Sequence, residues 1–417
     1  MKKFAIFFII FILFFVNIPY VSYAQGNSPE PNSAADSAVL IDGNTGTILY
    51  SKNPDTAYPP ASTTKIMTNL LVFEKGGLDT KVTIGKVPAS IEGSSIGLRE
   101  GEEVTVRDLL YGLNLQSGND CAYALAEYVA GSADKFVELM NAKAKELGAT
   151  NTNFVNPCGL YNKDHKTSAH DLALFMKALV QYKEYQQISQ TIIYKMPPNN
   201  KVPEGRTISN EDKLITKNSK YYYKDAIAGK TGYTIDSLFS YTAAAERNGQ
   251  LLIVAFVHSK EKSYYDESKE LFDYGFNNFS NKKLFSKGDS IGTFKLSSSV
   301  SIPVTASQDF LYTEKNGDTT TPVIQDSYNN NLSAKNPIKA GDVIGKANIL
   351  LNNAQIGTVD LLSSKDYTPA AAKNETSKKS GSAVPKVILA IAIVVVLLRI
   401  RAVNIKNKRY LARKRLR

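Results

Sequence analysis

Apolar positions alternate in some stretches of the chain and recur every three or four residues in others, and the changes between these textures mark out its elements. Ala38-Val39-Leu40-Ile41 and Thr47-Ile48-Leu49-Tyr50, separated by Asp42-Gly43-Asn44-Thr45-Gly46, predict a β-hairpin. Ile66, Met67, Leu70, Leu71 and Phe73 follow Pro60 at helical spacing, predicting a helix that stops at Gly76-Gly77. Thr105 with Asp108 three residues on reads as a helix start that carries Leu109, Leu110 and Leu113 toward a core. That helix ends before Gln116-Ser117-Gly118-Asn119-Asp120, and another begins at once and runs to Ala130. Further helices are expected over 133–147, closed by Gly148, and over 169–182, with Ser168 and Asp171 as its cap pair. Residues 186–225 are polar and tyrosine-rich, with no clear period. Ala226–Thr234 reads as a strand edge, Phe239–Ala245 and Leu251–His258 as a hairpin around Arg247-Asn248-Gly249, and 264–279 as a closing helix.

Beyond Lys283 the texture changes to short alternating runs, among them Ile291–Leu296, Val300–Val304 and Ile349–Ile356, so residues 284–366 read as a separate all-β domain. Residues 367–383 form a Pro/Ala/Lys/Ser linker. Val387–Leu398 is then apolar on every face. It is short beside the roughly 20 residues a span requires, but it is extended by Val384, Ile400, Ala402 and Val403, and Lys386 and Arg399 can snorkel. Nine Lys/Arg and no acid follow from residue 399 onward, which predicts a membrane anchor over 384–403 with a basic cytoplasmic tail over 404–417. An interfacial helix is the alternative. At the other end, Met1-Lys2-Lys3, the apolar run Phe4–Val16 and small residues at Ser22 and Ala24 predict a signal peptide over 1–24, followed by a flexible leader over 25–35. The domain between, 36–283, is therefore expected outside the cytoplasm.

At 417 residues, with 43% hydrophobic and 21% charged residues, the chain has room for two or three packed domains. Its formal charge of +11 comes from the ends, since 373–417 hold thirteen Lys/Arg against Glu375 alone. The folded body is mildly acidic and gives no case for binding nucleic acid. Two cysteines do not make a disulfide framework, so Cys121 and Cys158 are expected free. Cys158, His165 and His170 match no common zinc spacing, and neither a metal nor a cofactor is called for.

Candidate chemistry centres on Ser62-Thr63-Thr64-Lys65. Residues three apart on a first helical turn share a face, so the Lys65 amine can reach the Ser62 hydroxyl. A serine hydroxyl needs an adjacent base, and a lysine serves when burial keeps it neutral. S-x-x-K alone does not decide the matter, because it recurs at Ser132/Lys135 and Ser280/Lys283. What distinguishes Ser62 is an ordered set: Ser62-x-x-Lys65, then Ser117-x-Asn119 on the short loop between two helices, then Lys230-Thr231-Gly232, the one Lys-Thr-Gly in the chain.

With Leu40-Ile41-Asp42, Pro60 through Thr68, Ser117-Gly118-Asn119-Asp120, Gly159-Leu160, Ile227 through Gly232 and Lys339 through Gly345, this set resembles the low-molecular-weight penicillin-binding proteins, specifically the D-alanyl-D-alanine carboxypeptidases. The likeness runs over about 36–366. It implies an α+β, β-lactamase/transpeptidase-like catalytic domain, with an antiparallel sheet flanked by helices plus an all-helical subdomain, followed by a small all-β domain and a C-terminal transmembrane helix. It implies that Ser62 attacks the bond between the terminal D-alanines of a peptidoglycan stem peptide and that neutral Lys65 takes its proton. Ser117 would relay a proton to the leaving D-alanine and Asn119 would position Lys65 and the substrate amide. Lys230 and Thr231 would hold the carboxylate, while Gly232 allows close approach and the N–H groups of Ser62 and Tyr233 hold the oxyanion. β-Lactam antibiotics would be trapped on Ser62.

Two positions depart from the pattern. Cys158 and Tyr233 stand where relatives often carry histidine, which bears on substrate preference and deacylation. A β-lactamase would need a deacylating acid, and Glu146 followed by Asn151 reads instead as a solvated helix face. A transpeptidase, an endopeptidase, or a wall-binding protein with a weak site remain as alternatives.

Overall fold

The computed structural model describes residues 29–329 and 331–369. The predicted signal peptide, most of the linker, the anchor and the basic tail lie outside these residues. Among those described, no helix is long and apolar enough to cross a membrane.

The chain divides into two units. The first, running to Lys282 with Leu311–Thr319 added, is built on a five-stranded sheet in the order Ile48–Lys52, Ala35–Asp42, Gln250–Ser259, Leu238–Arg247, Ala226–Thr234. Every neighbouring pair is antiparallel. The strand nearest the centre reads Leu251 through Val257 without a polar break because both faces are covered. Ile253, Ala255 and Val257 face a helical layer, while Leu252, Val254 and Phe256 face the closing helix Tyr264–Asn278. Asn248 and Gly249 both take positive φ, as a two-residue turn between right-twisted strands requires.

On the helical side stand Lys65–Lys75, Val106–Leu115, Asn119–Ala130, Ala133–Glu146 and Ala169–Leu179. Thr105 and Asp108 form a reciprocal capping box, and the Ser168 hydroxyl accepts the Asp171 N–H, so both local start signals operate as read. The helix expected to reach residue 182 ends at Leu179 instead. Tyr182 is extended and a separate helix, Lys183–Gln190, follows. The tyrosine-rich stretch contains that helix and a small hairpin, Ile193–Met196 with Arg206–Ser209. Arg206 from this hairpin donates to the fully buried carboxylate of Glu102.

The second unit, Lys283–Phe310 and the described residues from Thr320 to 369, carries a five-stranded antiparallel sheet in the order Ser290–Lys295, Ser301–Ala306, Ala354–Ser363, Val343–Leu351, Val323–Tyr328. Ile302, Val304, Ile349, Val359 and Leu361 fill its core. The run Ile349–Ile356 is not one strand: Asn352 and Asn353 both adopt positive φ and reverse the chain, as asparagine tolerates more readily than most residues. Leu311–Thr319, expected within the all-β domain, belongs with the first unit. The Asn316 N–H donates to the Asn278 carbonyl at 2.7 Å, and the Thr313 hydroxyl donates to Asn281 at 2.9 Å.

Candidate active site

Ser62 lies in a 3₁₀ turn, Ala61–Thr64, that runs directly into the helix Lys65–Lys75. Ala61, Thr63 and Thr64 of the turn and Lys65 after it are buried, while Ser62 is half-buried. The Lys65 ammonium nitrogen is 2.9 Å from Ser62 Oγ, 2.8 Å from Asn119 Oδ1 and 2.8 Å from the Cys158 carbonyl oxygen. Carbonyl oxygens can only accept. The Asn119 amide is oriented by its Nδ2, which donates to the Glu92 carbonyl at 2.7 Å, so its oxygen faces the lysine. The charged amine can donate to all three oxygens, whereas a neutral one, with two N–H bonds, spends them on Asn119 and Cys158 and turns its lone pair to the Ser62 proton. Lys65 is fully buried, and loss of hydration lowers its pKa from the usual lysine range to about 8.

Ser117 stands on the turn between two helices at φ +57°, a conformation that turns its hydroxyl toward the K-T-G strand. There the Lys230 amine donates to Ser117 Oγ at 2.9 Å and to the Thr231 carbonyl at 3.0 Å. Lys230 is also buried. Desolvation, with the Lys65 charge adding to it, lowers its pKa to about 7, while Glu211 and Asp212 work in the opposite direction. The strand packs against the nucleophile turn through Gly232. A Cβ at that position would lie 2.8 Å from the Pro60 carbonyl and 3.0 Å from the Ser62 and Thr63 nitrogens, so only glycine permits this approach. Thr231 is half-buried, and Tyr233, largely exposed, stacks on Phe239 with ring centroids 4.5 Å apart.

The fold thus brings Ser62, Lys65, Ser117, Asn119 and the segment Lys230–Tyr233 together from three places in the chain. Glu146 is elsewhere engaged, in an exposed pair with Lys143 at 2.8 Å. Cys121 and Cys158 are buried free thiols, and no cluster of metal-ligating side chains occurs among the described residues.

Two contributors carry little signal in the sequence. The Cys158 carbonyl is one, since a backbone oxygen carries no side-chain signal. Asp120 is another. Its carboxylate accepts the Ser95 hydroxyl at 2.6 Å and the Ile96 and Leu98 N–H groups, each at 3.1 Å to Oδ2. With the Asn119 N–H donating to Ser94 O at 2.6 Å, this fastens residues 92–98 beside Asn119. Its position directly after Ser117-x-Asn119 was the available hint.

A serine paired with a buried lysine at the edge of an antiparallel sheet defines a serine hydrolase. Residues 24–260 match the D-alanyl-D-alanine carboxypeptidase family, and residues 279–369 match the C-terminal domain of penicillin-binding protein 5. Over 381 residues the chain is 32% identical to the D-alanyl-D-alanine carboxypeptidase DacF of Bacillus subtilis, covering 89% of this chain and 93% of that protein. It superposes on penicillin-binding protein 5 from Haemophilus influenzae with a TM-score of 0.68 at 28% identity, over 82% of this chain and all of the other. The Streptomyces K15 DD-transpeptidase matches at 30% identity and TM-score 0.56, over 60% of this chain and 99% of its own. The chain belongs to the D-alanyl-D-alanine carboxypeptidase family of low-molecular-weight penicillin-binding proteins.

Proposed function

We propose that this enzyme removes the terminal D-alanine from peptidoglycan pentapeptide stems through an acyl-enzyme on Ser62. The observation that carries the reading is the Lys65 environment, in which two obligate acceptors leave the amine's lone pair for the serine. Ser62 Oγ attacks the carbonyl between the two D-alanines as its proton passes to Lys65. The backbone N–H groups of Ser62 and Tyr233 receive the oxyanion, a contact typically worth roughly 3 kcal/mol per donor. The proton that Lys65 took from Ser62 is relayed through the Ser117 hydroxyl, bridged to Lys230, to the departing amine; water then attacks the acyl carbonyl, its proton returns to Ser62 Oγ through Lys65, and the shortened peptide leaves.

Lys230 and Thr231 receive the terminal carboxylate. That carboxylate also settles the competition between the two buried amines: an anion beside Lys230 holds the positive charge there, and like-charge repulsion then favours the neutral form of Lys65. β-Lactams carry the same carboxylate and acylate the same serine. Anchoring through 384–403, with the catalytic domain outside the cytoplasm, is supported by the apolar run and the cationic tail after it.

The test is release of D-alanine from a D-Ala-D-Ala-terminated pentapeptide, with fluorescent penicillin labelling that disappears in Ser62→Ala. Labelling that persists in that variant refutes the assignment. Adding an acceptor amine separates hydrolysis from the transpeptidation for which the Streptomyces relative is named; a predominance of aminolysis product would make this chain a transpeptidase.

A further inference from the structure

The turn that presents Ser62 is held from behind by groups with no part in the reaction just described. Ala61, the residue before the nucleophile, has φ +49°, a left-handed conformation disfavoured for any residue with a Cβ. Its carbonyl accepts the Thr64 hydroxyl at 2.8 Å. Thr64 Oγ1 is in turn 2.8 Å from His165 Nε2. His165 Nδ1 accepts the Val155 N–H at 3.1 Å, which places the proton of the neutral ring on Nε2. Nε2 must then donate to Thr64, and the single hydroxyl proton of Thr64 goes to Ala61. Every donor and acceptor from Val155 to Ala61 is thereby oriented in one direction.

His165 is 1% exposed, and burial lowers its pKa to about 4, so the ring stays neutral near physiological pH. The loop that carries it is fastened on both sides of the nucleophile. Gly159, at φ +88°, packs so closely on the Ala61 carbonyl that a Cβ would overlap it. The Thr68 hydroxyl donates to Pro157 O at 2.5 Å and Lys65 donates to Cys158 O.

We infer that His165 and Thr64 are positioning residues for Ser62, holding the Ala61 peptide in its left-handed turn so that Oγ faces Lys65. The inference rests on the proposed role of Ser62 as nucleophile. Without the relay, the Ala61 peptide relaxes toward ordinary φ and the hydroxyl drifts from the lysine, while Lys230 and Thr231 stay where they are. The loss should therefore fall on the acylation step and spare the preceding binding step.

Stopped-flow acylation of the full chain by a fluorescent penicillin gives the two constants separately. Thr64→Val, which keeps the shape and removes the hydroxyl, and His165→Phe should each slow acylation by about tenfold, with the pre-acylation constant within about twofold. The double variant should lose no more than the worse single one, because both break the same relay. Thr64→Ser should restore most of the rate, and thermal unfolding of each variant shows whether it is folded. Wild-type acylation in folded Thr64→Val, single losses that multiply in the double variant, or an effect confined to binding each overturns the inference. Absence of Ser62 labelling in the unmodified protein would refute the functional reading itself, an outcome distinct from all of these.

Discussion

Gly232→Ala tests the close approach of the K-T-G strand to the nucleophile turn. The added Cβ would meet three backbone atoms, at 2.8 Å from the Pro60 oxygen and 3.0 Å from the Ser62 and Thr63 nitrogens. None of these can rotate away as a side-chain tip would. Relief to ordinary contact distance requires the K-T-G strand and the nucleophile turn to separate by roughly half an ångström. The strand is the outer one of its sheet, paired only with Leu238–Arg247, so it can give way without unfolding the core. The displacement should leave the Ser62 and Tyr233 N–H groups too far apart to share one oxyanion. Losing one such donor costs about 3 kcal/mol, so acylation should slow about a hundredfold. Retention of the unfolding temperature within a few degrees would accompany it. The assay is stopped-flow labelling by fluorescent penicillin, with thermal unfolding measured in parallel. A folded Gly232→Ala that acylates within about twofold of the unmodified protein would refute the proposed oxyanion site.

The buried amines give a pH signature. Below about 7 both Lys65 and Lys230 carry a charge, above about 8 neither does, and between these values the pair holds one proton, which a β-lactam carboxylate draws to Lys230 and away from Lys65. The second-order acylation constant for a β-lactam should therefore be bell-shaped, with its maximum between these values, and a profile still rising at pH 10 would contradict the assignment. Asp120→Asn replaces an acceptor oxygen by a donor facing Ser95, Ile96 and Leu98. The cost should be about 1.5–3 kcal/mol, seen as a lowered denaturation midpoint, together with protease sensitivity within 92–98. Unchanged stability and cleavage would show that the carboxylate does not tether that segment.

Local chemistry made much of this protein legible before any coordinates. The Thr105/Asp108 and Ser168/Asp171 caps, the Asn248-Gly249 turn and the helical spacing after Pro60 involve partners a few residues apart, and the backbone hydrogen bonds they satisfy are close in sequence. The ordered motifs at Ser62, Ser117 and Lys230 pointed to one site by resemblance. The chain reversal at Asn352-Asn353 was equally local but lay inside an apolar run that masked it. The hairpin over 193–209 had no such signal, because Arg206 is stabilised by Glu102, far away in sequence. Only tertiary structure decided the protonation of Lys65, since hydration is removed by whichever segments happen to cover an amine. Here those segments include the Cys158 carbonyl and the Asn119 amide, 93 and 54 positions along the chain. The residue type supplied an amine; the packing of distant segments lowered its pKa.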